Sequence, residues 1–163
     1  MEQKYGILFV CTGNTCRSPM AEGLFRNKLP KNLVHRVVVR SAGIAGLSGA
    51  QASPNAIAAA NEYGADILDH QSQSITEELL RSSHLVLCMA RHHMDYLIER
   101  FPAYRDNYFL LMDFAAGRNS QSEDVFDPIG GTLSTYRECC DLIDFELDRI
   151  LPFILRLIEE KIS

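Results

Sequence analysis

Short apolar runs alternate along this chain with segments in which apolar residues recur every three or four positions. The apolar runs predict strands, because runs of this length are typical of strands that are buried on both faces. They lie at residues 5–10, 35–41, 84–90 and 107–112. Regular alternation of strands with helices indicates parallel pairing. We therefore expect an α/β fold with three layers, a four-stranded parallel sheet with helices on both faces.

Capping residues locate the shorter helices, which are predicted at about residues 19–29, 54–63, 76–81 and 92–101. Two of them begin with a serine followed by proline, at Ser18-Pro19 and Ser53-Pro54, and proline is favoured at the first helical position. The third is indicated by Ser74, which has a glutamate three residues later, at the spacing of a capping box.

A long helix is predicted after the glycine pair at 130–131. One face of it carries an apolar stripe, at Leu133, Tyr136, Cys140, Ile143, Leu147, Ile150, Ile154 and Ile158. Pro152 interrupts this pattern and predicts a kink or a break in the helix. Residues 115–123 are small and polar, so they predict a surface loop, and residues 1–163 are expected to form a single domain.

Composition narrows the range of functions. The 163 residues are 47% hydrophobic and carry a formal net charge of -5, with basic residues scattered rather than clustered. We therefore expect no nucleic-acid partner and no binding to anionic membranes. No leader segment and no apolar stretch of about 20 residues is evident, so a cytoplasmic location is expected.

The five cysteines and the paired histidines carry separate expectations. An odd number of cysteines in a chain of this size is typical of reduced thiols. Of the adjacent Cys139 and Cys140, one is expected in the core and the other partly exposed. His92 and His93 are also adjacent, and neighbours on a helix point about 100° apart, so they do not readily share a metal. No metal and no other cofactor is expected.

The loop between the first strand and the first helix is the candidate site. Ligands of open parallel sheets bind beyond the carboxyl ends of strands, where helix N-termini offer unpaired N–H groups. Gly13 and Asn14 can adopt backbone conformations that let successive N–H groups converge on one anion. The loop lacks the lysine and the spacing of nucleotide-binding loops. We therefore predict a phosphate-binding loop of a different kind.

Cys11, Arg17 and Ser18 give this loop its candidate chemistry. A cysteine that faces a helix N-terminus and an arginine is expected to favour its thiolate, which is a nucleophile toward phosphorus. Arg17 can hold two phosphoryl oxygens, and the hydroxyl of Ser18 can hydrogen-bond the sulfur. The alternative, a buried apolar Cys11 beside a surface arginine, leaves the glycine, the asparagine and the junction unexplained.

Residues 10–19 match the signature V-C-x-G-N-x-C-R-S-P, and this chain resembles the low-molecular-weight protein tyrosine phosphatases. Further matches lie at Ser41-Ala42-Gly43, Asp69-His70 and Asp127-Pro128. The resemblance implies that Asp127 is the general acid and that Ser41 and His70 support the loop. It also implies that the phosphate is bound by the loop residues Thr12, Gly13, Asn14, Thr15 and Cys16.

Two departures from the family pattern concern the substrate. Residues 129–131 are Ile-Gly-Gly, where tyrosine-specific members usually carry aromatic residues, and Thr15 replaces a bulkier apolar residue. Thr15 resembles the protein-arginine-phosphatase branch, and its hydroxyl and Asp127 offer polar partners to a guanidinium group. We predict a phosphatase that acts on phosphoarginine in proteins through a phosphocysteine intermediate, as a monomer or weak homodimer.

Three alternatives remain open at this point. They are a tyrosine phosphatase, a thiol-coupled arsenate reductase, and an inactive phosphate-binding or redox-sensing module. The reductase needs further redox cysteines after the third strand, where only Cys88 is found. Cys11 and Cys16 are five residues apart in one curled loop, so a reversible disulfide between them is also expected.

Overall fold

Four parallel strands form the sheet in this computed structural model, which describes residues 3–46, 48–116 and 124–162. They are β1 (Tyr5–Cys11), β2 (Val37–Gly43), β3 (Leu85–Cys88) and β4 (Tyr108–Leu110). Their order in the sheet is β2-β1-β3-β4, and all neighbours pair in parallel. The predicted four-stranded parallel α/β fold is confirmed.

Five α-helices are described around the sheet. They are α1 (Arg17–Lys28), α2 (Pro54–Glu62), α3 (Glu77–Arg81), α4 (Arg91–Arg100) and α5 (Leu133–Ile162), with a short 3-10 helix at Pro102–Asn107. Ser53 caps α2 through its side chain, as predicted. Within the described residues, no helix is both long enough and apolar enough to span a membrane.

The side chains of β1 point alternately to the two faces of the sheet, and a separate layer of the core covers each face. Ile7, Phe9 and Cys11 belong to the cluster that includes the buried residues of α1, α2 and α5. Leu8 and Val10 belong to the cluster on the other face, which includes the buried residues of α3 and α4. Since strand side chains alternate between faces, this register places Cys11 on the same side as α1.

The cap of α3 differs from the prediction. Thr76 is the N-cap, and its side chain accepts a hydrogen bond from the backbone N–H of Leu79. Ser74 donates its hydroxyl to the carbonyl of Gly46 instead. The capping-box spacing was misleading because Thr76 offers an equivalent oxygen at the helix start itself.

One expectation for α5, a partly exposed residue in the pair Cys139 and Cys140, was wrong. The helix continues through Pro152, so the predicted break is absent, and the alternative, a kink, stays a prediction. Ile150 and Ile154, on either side of that position, are fully buried, and their packing favours continuity. Cys139 and Cys140 are both buried, because α5 packs against α1 and α2 together and so covers a wide face. Of the loop predicted at 115–123, residues 117–123 lie outside the described residues.

Candidate active site

The loop that joins β1 to α1 has the backbone geometry of an anion cradle. Asn14 has a positive φ of 56°, a conformation that turns the chain and that asparagine tolerates better than most residues. Within the described part of the chain, the N–H groups of Gly13, Thr15 and Cys16 donate to no backbone carbonyl. These donors therefore stay available for a ligand at the start of α1.

Gly43, at the end of β2, lets the loop lie close to the sheet. A Cβ atom at this position would lie 2.4 Å from the carbonyl oxygen of Thr12 and 3.0 Å from the nitrogen of Asn14. The residue after Gly43 also holds the loop in place, because the N–H of Ile44 donates to the carbonyl of Cys11 at 3.0 Å. A side chain at 43 would displace the cradle.

Asn14 organises the polar contacts behind the loop, and it is fully buried. Its Oδ1 accepts from the backbone N–H of Gln73 at 2.9 Å, which fixes the orientation of the amide. Its Nδ2 donates to Ser18 Oγ at 2.8 Å and to Ser41 Oγ at 2.9 Å. These three hydrogen bonds join the loop to Gln73, Ser18 and Ser41 through one side chain.

Ser18 also contacts the sulfur of Cys11. The two atoms Ser18 Oγ and Cys11 Sγ are 2.8 Å apart. When Cys11 is a thiolate, the sulfur can only accept, so the Ser18 hydroxyl then donates its hydrogen to it. The predicted contact between hydroxyl and sulfur is therefore present in the structure.

The ionisation of Cys11 is set by two opposing effects, burial and the nearby hydrogen-bond donors, and only the donors are evident from the sequence. Burial raises the pKa of the Cys11 thiol. The Ser18 hydroxyl, the backbone N–H groups of Ser18 and Asn14, and the charge of Arg17 all act to lower that pKa. The expectation of a favoured thiolate neglected burial, which is the larger effect here.

Arg17 is buried and held by three partners. Its NH1 donates to the carbonyl of Val125 at 3.0 Å, and its NH2 lies 3.4 Å from Thr12 Oγ1. The same NH2 lies 3.5 Å from Asp127 Oδ2. The segment around Asp127 is thus joined directly to the loop, although more than 100 residues separate them in the sequence.

Asp127 and Asp124 occupy different environments. The side chain of Asp127 is 44% exposed and faces Arg17, and its Oδ1 accepts from the N–H of Ile129 at 3.1 Å. Asp124 Oδ1 accepts from the backbone N–H of Arg91 at 2.8 Å, at the start of α4. Of the two carboxylates, Asp127 is the one in contact with the loop.

His70 reaches the loop through the backbone. Its Nε2 lies 2.7 Å from the carbonyl oxygen of Asn14. Gln73 also belongs to this support, because its side chain donates to the carbonyl of Ser41 at 3.0 Å. Sequence reasoning missed Gln73, since its backbone N–H makes the key contact to Asn14 and any residue type other than proline could supply it.

The two histidines at the start of α4 converge instead of diverging. Nε2 of His93 lies 2.9 Å from Thr12 Oγ1, and Nε2 of His92 lies 3.4 Å from the same oxygen. The two rings lie close together, with centroids 4.0 Å apart and planes tilted by 46°, although neighbours on a helix point about 100° apart. Among the described residues, no group of three or more potential metal ligands is clustered.

Cys16, the second cysteine of the loop, contacts two hydroxyl groups. Its Sγ is 3.3 Å from the hydroxyl of Tyr136 and 3.4 Å from Ser53 Oγ. Both Cys16 and Cys11 are buried free thiols.

We expect peroxide to inactivate the protein reversibly through a Cys11–Cys16 disulfide, which protects Cys11 from irreversible over-oxidation. The measurement is activity after peroxide followed by a thiol reductant, in the parent and in Cys16→Ala. The parent should recover most of its activity and Cys16→Ala little of it. Equal recovery in the two proteins would show that Cys16 gives no protection. Cys140→Ala is a suitable control, because Cys140 is buried on α5 away from the loop.

The fold and the loop together define a protein that binds a phosphoryl group beside a buried cysteine, an arginine and a carboxylate. The family model for low molecular weight phosphotyrosine protein phosphatase matches residues 6–161. The chain belongs to this family.

Several relatives carry a more specific description. A protein-arginine-phosphatase of Bacillus subtilis (strain 168) is 41% identical over 145 residues, which are 89% of this chain and 91% of the relative. The structure of the YwlE arginine phosphatase from Geobacillus stearothermophilus superimposes with a TM-score of 0.85 at 38% identity, covering 96% of each chain.

A third match is a YwlE arginine phosphatase mutant in which serine replaces cysteine and the active-site serine is phosphorylated. It has a TM-score of 0.76 and 40% identity, and it covers 87% of this chain and 90% of its own. In that protein, the active-site residue carries the phosphoryl group.

Proposed function

We propose that this chain, as a single phosphatase domain, removes phosphoryl groups from arginine side chains of proteins through a phosphocysteine intermediate. The observation that carries the proposal is the contact of Arg17 NH2 with Asp127 Oδ2 at 3.5 Å, beside Cys11 at the base of the loop. A nucleophile, an anion-binding guanidinium and a carboxylate thus surround one space. The need for a reduced Cys11 fits the cytoplasm as its location.

In the first step, Cys11 reacts as its thiolate, the form that the Ser18 hydroxyl, the loop N–H groups and Arg17 favour against burial. The thiolate attacks phosphorus, and the bond from phosphorus to the guanidinium nitrogen breaks. The leaving nitrogen is strongly basic, so it must be protonated as it departs. Asp127, on the exposed side of Arg17, supplies that proton. The N–H groups of the loop and Arg17 stabilise the charge on the equatorial oxygens.

In the second step, water attacks the phosphocysteine and the bond from sulfur to phosphorus breaks. Asp127, now a carboxylate, accepts a proton from the water. The leaving sulfur becomes a thiolate and is stabilised by the hydroxyl of Ser18, which already lies 2.8 Å from it. Inorganic phosphate then leaves the loop, and the enzyme is regenerated.

Thr15 supports arginine as the substrate side chain. It is partly exposed on the loop, and its Oγ1 lies 3.7 Å from the Sγ of Cys16. A hydroxyl there can serve the N–H groups of a guanidinium. Ile129 is 67% exposed and has no aromatic neighbour at 130 or 131 to stack on a phenol ring.

The three alternatives differ in what supports them. A tyrosine phosphatase shares the loop, the acid and the family, and it remains the second candidate. The arsenate reductase is disfavoured because Cys88 lies in the core on the opposite face of the sheet from Cys11, and burial raises the pKa of its thiol. An inactive module is disfavoured by the presence of Cys11, Arg17 and Asp127 in one place.

Replacing Thr15 with isoleucine tests the substrate preference. This change removes a hydroxyl and adds apolar volume, so guanidinium N–H groups lose a partner while a phenyl ring gains a surface. The ratio of kcat/KM for phosphoarginine over phosphotyrosine should move toward tyrosine by at least about tenfold, or roughly 1.4 kcal/mol. The measurement uses peptides that differ only in the phosphorylated residue.

Two further variants separate the effect of the lost hydroxyl from the effect of the added side-chain volume. Thr15→Val removes the hydroxyl at nearly constant shape and should shift the ratio in the same direction, whereas Thr15→Ser should retain most of the parent preference. An unchanged ratio in Thr15→Ile, with both peptides still hydrolysed, would show that Thr15 does not select the substrate and would favour the tyrosine phosphatase.

A further inference from the structure

A buried histidine that the proposed chemistry does not use lies beside the loop. His93 is fully buried in the first turn of α4, next to the segment that follows β1. Both of its ring nitrogens have partners. Nδ1 lies 3.0 Å from the backbone nitrogen of Ala90, and Nε2 lies 2.9 Å from Thr12 Oγ1. The ring therefore connects the helix start to the loop.

The hydrogen bonds fix the tautomer of His93. A backbone N–H can only donate, so Nδ1 accepts from Ala90 and carries no proton. Burial, with the charges of Arg17 and His92, lowers the pKa of His93 to about 3, so the ring is neutral near neutral pH. A neutral ring must then hold its proton on Nε2. His93 consequently donates to Thr12 Oγ1.

Thr12 receives a second hydrogen bond on the same oxygen. NH2 of Arg17 lies 3.4 Å from Thr12 Oγ1, so the hydroxyl accepts from both His93 and Arg17. A hydroxyl oxygen has two lone pairs, and these two donors occupy them. The hydrogen of the Thr12 hydroxyl is then left for one of two acceptors, Nε2 of His92 at 3.4 Å or a ligand in the loop, on a partly exposed side chain directly after Cys11.

We propose that His93 is a positioning residue for the phosphoryl group and that it acts through Thr12. The Nε2–H of His93 orients the Thr12 hydroxyl, which in turn holds one arm of the Arg17 guanidinium and directs its own hydrogen toward the phosphoryl oxygens. A preoriented donor and a fixed guanidinium bind a tetrahedral anion without first having to be ordered. The inference rests on the proposed function, since it assigns Arg17 a phosphoryl ligand.

Two substitutions of His93 make the test. In His93→Gln, the amide oxygen can accept from Ala90 and the amide nitrogen can donate to Thr12, so both contacts are rescued. In His93→Met, a side chain of similar size supplies neither contact. The readout is the inhibition constant of inorganic phosphate, measured with an aryl phosphate substrate, because that constant does not depend on the folded fraction of the enzyme.

We expect His93→Met to raise the phosphate inhibition constant by about fivefold or more, as for the loss of one hydrogen bond to a charged group. His93→Gln should stay within about twofold of the parent. Thr12→Val should match His93→Met, and the double variant should be no worse than either single variant, because the two residues act in series.

His84 provides a matched control at the opposite end of the strands, directly before β3. Its Nδ1 accepts from the backbone N–H of Gly6 at 2.9 Å, so it makes the same kind of contact as His93 far from the loop. His84→Met should lower the melting temperature and leave the phosphate inhibition constant unchanged. A change in that constant equal to the change in His93→Met would show that the loss of any histidine contact of this kind has the same effect, and it would overturn the inference.

The remaining outcomes separate the inference from the proposed function. An unchanged phosphate inhibition constant in His93→Met, or additive effects of His93→Met and Thr12→Val, would overturn the positioning role while the parent enzyme remains active. A parent protein that neither hydrolyses aryl phosphates nor binds phosphate would overturn the proposed function, and the inference with it.

Discussion

Cys11→Ser should reduce phosphatase turnover by about three orders of magnitude or more and leave the fold intact. A serine hydroxyl has nearly the size of the thiol but is not ionised at neutral pH, so it is a poor nucleophile and a poor leaving group. The site around residue 11 is buried and contacts Ser18 through a single atom, so a hydroxyl fits without repacking. The measurement is kcat on a phosphoarginine peptide.

Phosphate binding is the control for this variant. Cys11→Ser keeps Arg17 and the loop N–H groups, so inorganic phosphate should still raise its melting temperature. The mutant relative that carries phosphate on its active-site serine indicates that such a variant can also trap the phosphoryl group. Appreciable turnover in Cys11→Ser, by a preparation free of other phosphatases, would remove Cys11 from the mechanism.

Asp127→Asn should lower kcat/KM by about a hundredfold or more on phosphoarginine, and by far less on an activated aryl phosphate. An amide cannot donate the proton that a basic leaving group needs, whereas an activated aryloxide departs without one. The comparison uses kcat/KM, which reports only the steps up to the first irreversible one. The second role of Asp127, as the base in hydrolysis of the phosphocysteine, therefore does not affect this comparison.

Asp124→Asn is the matched control for Asp127. It lies three residues earlier, and its carboxylate accepts from the backbone N–H of Arg91 rather than facing Arg17. We expect this variant to lower kcat/KM only slightly, and by the same factor on both substrates. Equal losses on both substrates in Asp127→Asn would instead indicate a structural role for Asp127, and a leaving-group-dependent loss in Asp124→Asn would make Asp124 the acid.

The sheet and the loop could be predicted from the sequence because their signals are local. A continuous apolar run before Cys11 marks a strand that is covered on both faces, and the glycine and asparagine at 13 and 14 mark an unusual turn before a helix. The role expected of Asp127 came from the family pattern alone, since an Asp-Pro before two glycines is more often a simple turn. The structure adds its contact with Arg17.

The parts that could not be predicted depend on contacts between distant segments. His93 and Thr12 are 81 residues apart, and only the pairing of β1 with β3 brings them together. Gln73 acts through its backbone, which has no sequence signal. The ionisation of Cys11 depends on burial, which opposes the nearby donors and which a loop motif does not reveal.

The most direct test is a comparison of kcat/KM for the parent protein on two peptides of identical sequence, one carrying phosphoarginine and the other phosphotyrosine at the same position. The polar loop residue Thr15 and the absence of aromatic residues at 129–131 predict a preference for phosphoarginine of at least about tenfold. An equal or higher kcat/KM on the phosphotyrosine peptide would contradict the assignment of this chain as a protein-arginine phosphatase.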